Sequence, residues 1–201
     1  MQISLIRHGR SNLHSDFMNM KQFQEWLEHY DREGIAEETE FPKDTVRAIQ
    51  TAKFVISSTS ARAIQSAALL TNSLSFVQNP IFCDAALPSV LGAPEWIKLK
   101  PHGWMFVNRM LWLAGHSKEI ESYEQARFRA RQAVDLLIGY AHCYQKVALV
   151  GHGYFNSMIA KELKQRGWAG PVFISHEHWG CTTYTYRRVL EGIQNMGFTV
   201  S

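Results

Sequence analysis

The chain is poor in cysteine. It has three in 201 residues, Cys83, Cys143 and Cys181, and no pair is spaced as CxxC. An odd count without that spacing argues against a disulfide framework or a zinc knuckle, and for free thiols in a reducing compartment. Uninterrupted apolar runs of eighteen residues are also missing, so no helical membrane span is expected. The opening MQISLIRHGR is too short in apolar residues for a signal peptide and is broken by an arginine. A cytoplasmic location without processing is the expectation. Blocks of five or more Lys/Arg are absent and the net charge is only +3. Nucleic acid is therefore not an expected partner.

What is present is the balance of a folded chain, 46% apolar and 19% charged. Its length suffices for one sizeable core without demanding two domains. Gln2 to Ile6 reads as a short buried strand ending at Arg7-His8-Gly9. Residues 17–32 carry apolar side chains at helical spacing, and Asp44 is placed to cap a second helix over about 45–53. Lys53 to Ser57 reads as a strand. Ser60 caps a helix from Ala61 to about Thr71, with Ile64, Ala67, Ala68 and Thr71 as its inward stripe. Residues 76–82 give a weaker strand, and 86–118 read as an irregular insertion with short helices.

Ser122 and Gln125 have capping-box spacing and start the most periodic helix, with Ala126, Ala130, Ala133, Val134, Leu137, Ile138 and Ala141 on one face. Arg127, Arg129 and Arg131 fall off that stripe and read as a solvated face. Lys146 to Val150 is the clearest buried strand. It is followed by Gly151-His152-Gly153, a helix over 154–166 and a last strand at Thr182 to Tyr186. This alternation predicts an α/β fold, a three-layer sandwich around a mostly parallel sheet. Such sheets bind ligands beyond the C-terminal ends of their strands.

Three chemically loaded segments lie at those ends: Arg7–Ser11, Ser57–Arg62 and Gly151–Gly153. Taken singly, each has an ordinary structural explanation. A histidine after a strand often bonds a carbonyl, and an arginine in a first helical turn is often a surface group. Together, two histidines and two arginines concentrate positive charge where a dianionic phosphate would bind. Arg62 sits near a helix N-terminus, which itself attracts anions, and its planar fork matches two phosphate oxygens. Glycines on both sides of His152 let the main chain approach a ligand.

The segments Leu5-Ile6-Arg7-His8-Gly9-Arg10-Ser11, Ser57-Ser58-Thr59-Ser60-Ala61-Arg62-Ala63-Ile64-Gln65-Ser66-Ala67 and Val150-Gly151-His152-Gly153 resemble, in order, the signature stretches of the histidine phosphatase superfamily, also called the phosphoglycerate mutase-like family. The resemblance implies a single domain over 1–201, with rim or cap insertions at about 13–45 and 86–118. It implies His8 as a nucleophile that becomes phosphorylated. Arg7, Arg62, His152 and, less directly, Ser11 would hold the phosphoryl oxygens. No cofactor and no metal are implied. The family places a carboxylic acid after the strand that follows the arginine helix, where this chain has Phe82-Cys83-Asp84-Ala85. Asp84 is the expected general acid and Glu95 the fallback. His14 stands where several members have Asn, and Asn12 is a substitute contact. His176-Glu177-His178 lacks a third converging ligand, so a metal is not expected there.

Residues after Ser11 do not follow the mutase-like Trp-Asn pattern, and the chain is short for that branch, which favours a phosphatase acting on a phosphomonoester. A mutase-type phosphotransferase and a non-catalytic phosphate-binding module stay open. So do the substrate, whether small molecule or phosphoprotein, and the oligomeric state. The aromatics Phe17, Trp26, Trp96, Trp104, Phe106 and Trp112 are either an apolar wall of the site or core beneath a cap.

Overall fold

The computed structural model describes residues 1–13, 16–72, 75–88 and 93–187. His14 lies outside the described residues.

Among the described residues the sheet has five strands: β1 (Gln2–Arg7), β2 (Phe54–Ser57), β3 (Val77–Gln78), β4 (Lys146–Gly151) and β5 (Cys181–Thr185). Their order is β3-β2-β4-β1-β5. β1, β2, β3 and β4 run parallel, and β5 pairs antiparallel with β1. The interiors of β1 and β4 are buried on both faces, as a parallel strand covered by helices requires, and are apolar except for Ser4, whose hydroxyl pairs with that of Thr183 at 2.9 Å. Ile3, Leu5, Val147 and Leu149 point to one side. They pack on α5 (Tyr123–Tyr144) and α6 (Gly153–Gln165) through Val134, Leu137, Phe155 and Ile159. Ile6, Ala148 and Val150 point to the other side, against Ala48 and Ile49 of α2 (Lys43–Thr51) and Ala67 of α3 (Ala61–Leu70). The result is the three-layer α/β sandwich that the alternation of elements predicts.

Several local readings need correction. Asp44 lies inside the first turn of α2 and Pro42 occupies the cap, so the helix runs two residues earlier than expected. Most of 76–82 is not strand. Pro80 lacks an N–H, the Asn79 side chain caps Ile81, and a short 3-10 turn (Pro80–Phe82) forms instead. Among the described residues, the insertion at 86–118 contains one regular helix, α4 (Pro101–Leu113). Its bulky residues occur on every side, so no period marks it. Trp104 and Trp112 are core, whereas Phe17, Trp96 and Phe106 are exposed. α1 (Met20–Arg32) starts behind a capping box of Asn19 and Gln22 and packs on α4. The Trp104 indole donates to the Met18 carbonyl at 2.7 Å, and Met18, Met20, Phe23 and Trp104 form a separate cluster. Among the described residues no helix is long and apolar enough to cross a membrane.

α3 is rotated relative to its apolar stripe. Arg62, Ala63, Ser66 and Ala67 are the buried face, and Ile64 and Ala68 are only half-buried. Ala67 and Thr71 of the expected stripe are buried, and the polar Arg62 and Ser66 share their side of the helix, where apolar periodicity does not register them.

The turn after β1 is fixed from the far end of the chain. Trp179 donates its N–H to the Arg7 carbonyl at 3.2 Å and its indole N–H to Glu38 at 2.5 Å. The ring meets Phe41 edge-on at 4.8 Å and covers Gly9. A Cβ at Gly9 would stand 2.2 Å from Trp179 Cζ2. Gly9→Ala is therefore expected to destabilise the fold by about 1–3 kcal/mol through overpacking. The check is the midpoint of urea unfolding, which should fall at unchanged slope.

Candidate active site

Register brings the loaded segments together. Arg7 lies opposite Gly151 and Ser57 opposite Val150, so β1, β4 and β2 end side by side. The ladder continues just past the strands: the His8 N–H donates to the Gly151 carbonyl at 2.9 Å and Ser58 N–H to the Val150 carbonyl at 3.1 Å. His8, His152 and Ser58 thus emerge side by side beyond the C-terminal ends of three neighbouring strands. The rings of His8 and His152 have centroids 5.2 Å apart.

His8 is 3% exposed. Its Nδ1 lies 2.7 Å from the Gly9 carbonyl oxygen, which can only accept. Nδ1 therefore carries the proton, and Nε2 carries the lone pair. Burial, and then the neighbouring His152 and Arg62, hold the His8 pKa well below its ordinary value. An uncharged imidazole with a free Nε2 lone pair is a nucleophile at neutral pH.

The turn is tied to α3 by a relay. Gly9 N–H donates to Ser66 Oγ at 2.9 Å, and that hydroxyl donates to the Arg62 carbonyl at 2.7 Å. Arg62 is itself buried, with its guanidinium 3.8 Å from the centre of the Tyr30 ring. It donates to the Tyr30 carbonyl and, at 3.3 Å, to the Asp31 carboxylate. Arg7 donates to the His176 carbonyl. The Nε–H groups of Arg7 and Arg62 are buried and find no hydrogen-bond partner among the described residues. Two unspent cationic donors beside two imidazoles make a strong anion site.

His152 is the N-cap of α6, with Nε2 2.8 Å from Ser58 Oγ and 3.2 Å from Ser60 Oγ. Burial is the main cause that lowers its pKa to about 4; Asp84 opposes the shift, and Arg62 and Arg7 add to it. Asp84 is half-buried, and its Oδ1 accepts from Ala85 N–H at 3.0 Å and from Phe155 N–H in the first turn of α6 at 3.3 Å. Glu95 is exposed on a turn. Ser11 lines a cleft of about 550 Å³ together with Arg7, Arg10, Trp26, Tyr30 and His178. Of the aromatics considered from sequence, Trp26 alone lines this cleft. A cavity of similar size, about 570 Å³, lies along α6 and contains none of the residues from the strand ends.

Sequence reasoning missed several of these groups. Ser60 caps α3 as expected, but its contact with His152, and the contacts of Ser58 with His152 and of Ser66 with Gly9, have no signal in the sequence. Tyr30 and Asp31 reach the site from the cap. His176 and His178 go to different partners, the first through its carbonyl to Arg7 and the second through Nδ1 to the His8 carbonyl at 3.3 Å. Among the described residues no group of three His, Cys, Asp or Glu could hold a metal. Arg129 departs from the solvated face expected of it: it turns inward and lies 3.9 Å over the Phe155 ring.

The sequence matches the histidine phosphatase superfamily (branch 1) over residues 3–194. The chain belongs to that superfamily. It is accordingly an enzyme of the family whose phosphomonoesterases and phosphomutases work through a catalytic histidine. No curated protein sequence matches the chain. Solved structures share the fold of this histidine phosphatase superfamily member at low identity. One is a mycobacterial glucosyl-3-phosphoglycerate phosphatase, 16% identical, covering 90% of this chain and 88% of its own, with a TM-score of 0.55. A mutant phosphoserine phosphatase from Entamoeba histolytica with phosphoserine is 14% identical, covering 92% and 91%, with a TM-score of 0.55. A phosphoglycerate mutase from Bacillus anthracis is 16% identical, covering 94% and 92%, with a TM-score of 0.57.

The buried neutral imidazoles carry a stability signature. A histidine whose folded pKa is depressed binds protons better when unfolded. Its contribution is complete above the unfolded value of 6.5 and is lost as pH falls toward about 4 for His152. The shift corresponds to roughly 3 kcal/mol. Unfolding free energy should therefore drop between pH 7 and 4, and His152→Gln should remove roughly 3 kcal/mol of that drop. Parallel denaturant titrations of the two proteins across this range check it.

Proposed function

We propose that the protein is a phosphatase that hydrolyses a small phosphorylated metabolite through a phosphohistidine on His8. The observation that carries this reading is the 2.7 Å contact between His8 Nδ1 and the Gly9 carbonyl, in a buried site flanked by Arg7 and Arg62. That contact commits the proton to one ring nitrogen and leaves Nε2 to attack phosphorus.

In the first step Nε2 forms a P–N bond as the P–O bond to the alcohol breaks. Arg7, Arg62, His152 and Ser11 hold the phosphoryl oxygens and balance their charge in the transition state. Asp31 is exposed, so exchanging its carboxylate on Arg62 for a phosphate oxygen costs little. Asp84 gives its proton to the departing alkoxide. Both N–H bonds to Asp84 fall on Oδ1, and Oδ2 makes none among the described residues, so Oδ2 is the oxygen to carry that proton. In the second step the Asp84 carboxylate takes a proton from water, the water oxygen bonds to phosphorus, and the P–N bond breaks to release inorganic phosphate. The alcohol part of the substrate occupies the cleft between Arg10 and the Trp26–Tyr30 stack. The glucosyl-3-phosphoglycerate phosphatase and phosphoserine phosphatase of like fold support a small-molecule substrate. The three cysteines are free, which fits a reducing cytoplasm.

The test is hydrolysis of p-nitrophenyl phosphate without added metal. Wild-type protein should turn over, and His8→Ala should lose more than about a thousandfold in kcat while keeping its circular dichroism spectrum. A His8→Ala protein as active as wild type would remove the nucleophile.

A further inference from the structure

The segment that carries Asp84 has no regular structure from Asp84 to Pro88, yet a general acid must be held within hydrogen-bond reach of the leaving oxygen. Two arginines from different helices hold it. Arg129 of α5 donates Nη1 to the carbonyls of Ile81 at 2.8 Å and Cys83 at 2.7 Å, and Nη2 to the carbonyl of Asp84 at 3.3 Å. Its Nε and Nη2 also form a fork on Glu121, with both distances 2.7 Å. A guanidinium has five N–H groups, and all five of these are spent. Arg109 of α4 continues the grip, reaching the carbonyls of Ala85 at 3.0 Å and Ala86 at 3.2 Å.

The same arginines reach the far side of the acid. Arg129 lies over the ring of Phe155, the residue whose N–H holds Asp84 Oδ1. Arg109 lies 4.0 Å over the neighbouring Tyr154 ring. The backbone of the acid and the helix turn that binds its carboxylate are thus clamped to one pair of side chains. Lysine cannot reproduce this, because its three donors lack the planar fork.

We propose that Arg129, assisted by Arg109, is a positioning residue for leaving-group protonation: it fixes Asp84 against the first turn of α6. The proposal rests on the reading of Asp84 as general acid in a phosphatase. A merely structural arginine, when replaced, lowers turnover of all substrates alike. A positioning arginine makes the enzyme selectively worse at expelling poor leaving groups.

The experiment compares p-nitrophenyl phosphate, whose phenolate leaves with little proton help, with phenyl phosphate, which is nearly the same shape and leaves reluctantly. The proteins are wild type, Arg129→Lys, Arg109→Lys, Asp84→Asn and the Arg129→Lys/Asp84→Asn double variant, each assayed below its own melting transition. Arg109→Lys carries the test should Arg129→Lys not fold. Either lysine variant should lose roughly tenfold or more kcat on phenyl phosphate relative to p-nitrophenyl phosphate. Asp84→Asn should show the same selectivity, and the double variant should be no more selective than Asp84→Asn. Equal losses on both substrates, or an effect of Arg129→Lys that persists undiminished in the Asp84→Asn background, would overturn the proposal while leaving the phosphatase reading intact. Wild-type protein inert toward both substrates would remove the phosphatase reading, and the positioning role with it.

Discussion

Everything chemical in this protein depends on the register between β1 and β4. Six consecutive pairs, from Gln2 with Lys146 to Arg7 with Gly151, bring the two strands to an end at the same height. Slipping either strand by one residue would turn its buried side chains to the opposite face of the sheet. It would also part the two imidazoles. The alternation that packs Leu5 and Leu149 under α5 and α6, and Ile6 and Val150 under α2 and α3, is therefore what places His8 beside His152. Core and site are set by one ladder.

Burial then decides the chemistry. Two imidazoles inside a fold, each next to a guanidinium, are held in their uncharged forms. The Gly9 carbonyl settles which nitrogen of His8 bears the proton. The cationic charge of the site resides in Arg7 and Arg62, whose buried Nε–H groups have no hydrogen-bond partner among the described residues. On the proposed reading, the division gives one set of groups to attract an anion and another to react with it. Cap residues Tyr30 and Asp31 lie on Arg62, so the insertion that borders the cleft also touches the anion clamp.

How much of this was legible in the sequence follows from how local each signal is. The short runs around His8, Arg62 and His152 could be read because each is a strand end joined directly to a turn or helix, and three such ends imply convergence in a parallel sheet. The capping box of Ser122 and Gln125 was legible for the same reason, and the structure contains it. The rotation of α3 was not legible, because apolar patterning does not register Arg62 and Ser66 on the buried side. α4 was hidden by bulky side chains on every side. Arg129 was misread because its acceptors are mostly main-chain carbonyls more than forty residues away, which no pattern of residue types encodes. Hydrogen bonds to the main chain leave no trace in composition.

The phosphohistidine is sought most directly by quenching the enzyme during turnover of a radiolabelled phosphomonoester and locating the label by mass spectrometry. Attack by His8 predicts a phosphoenzyme that survives base, decays in acid and carries its phosphoryl group on that residue. A label on a serine or carboxylate, lost in base and stable in acid, would contradict it.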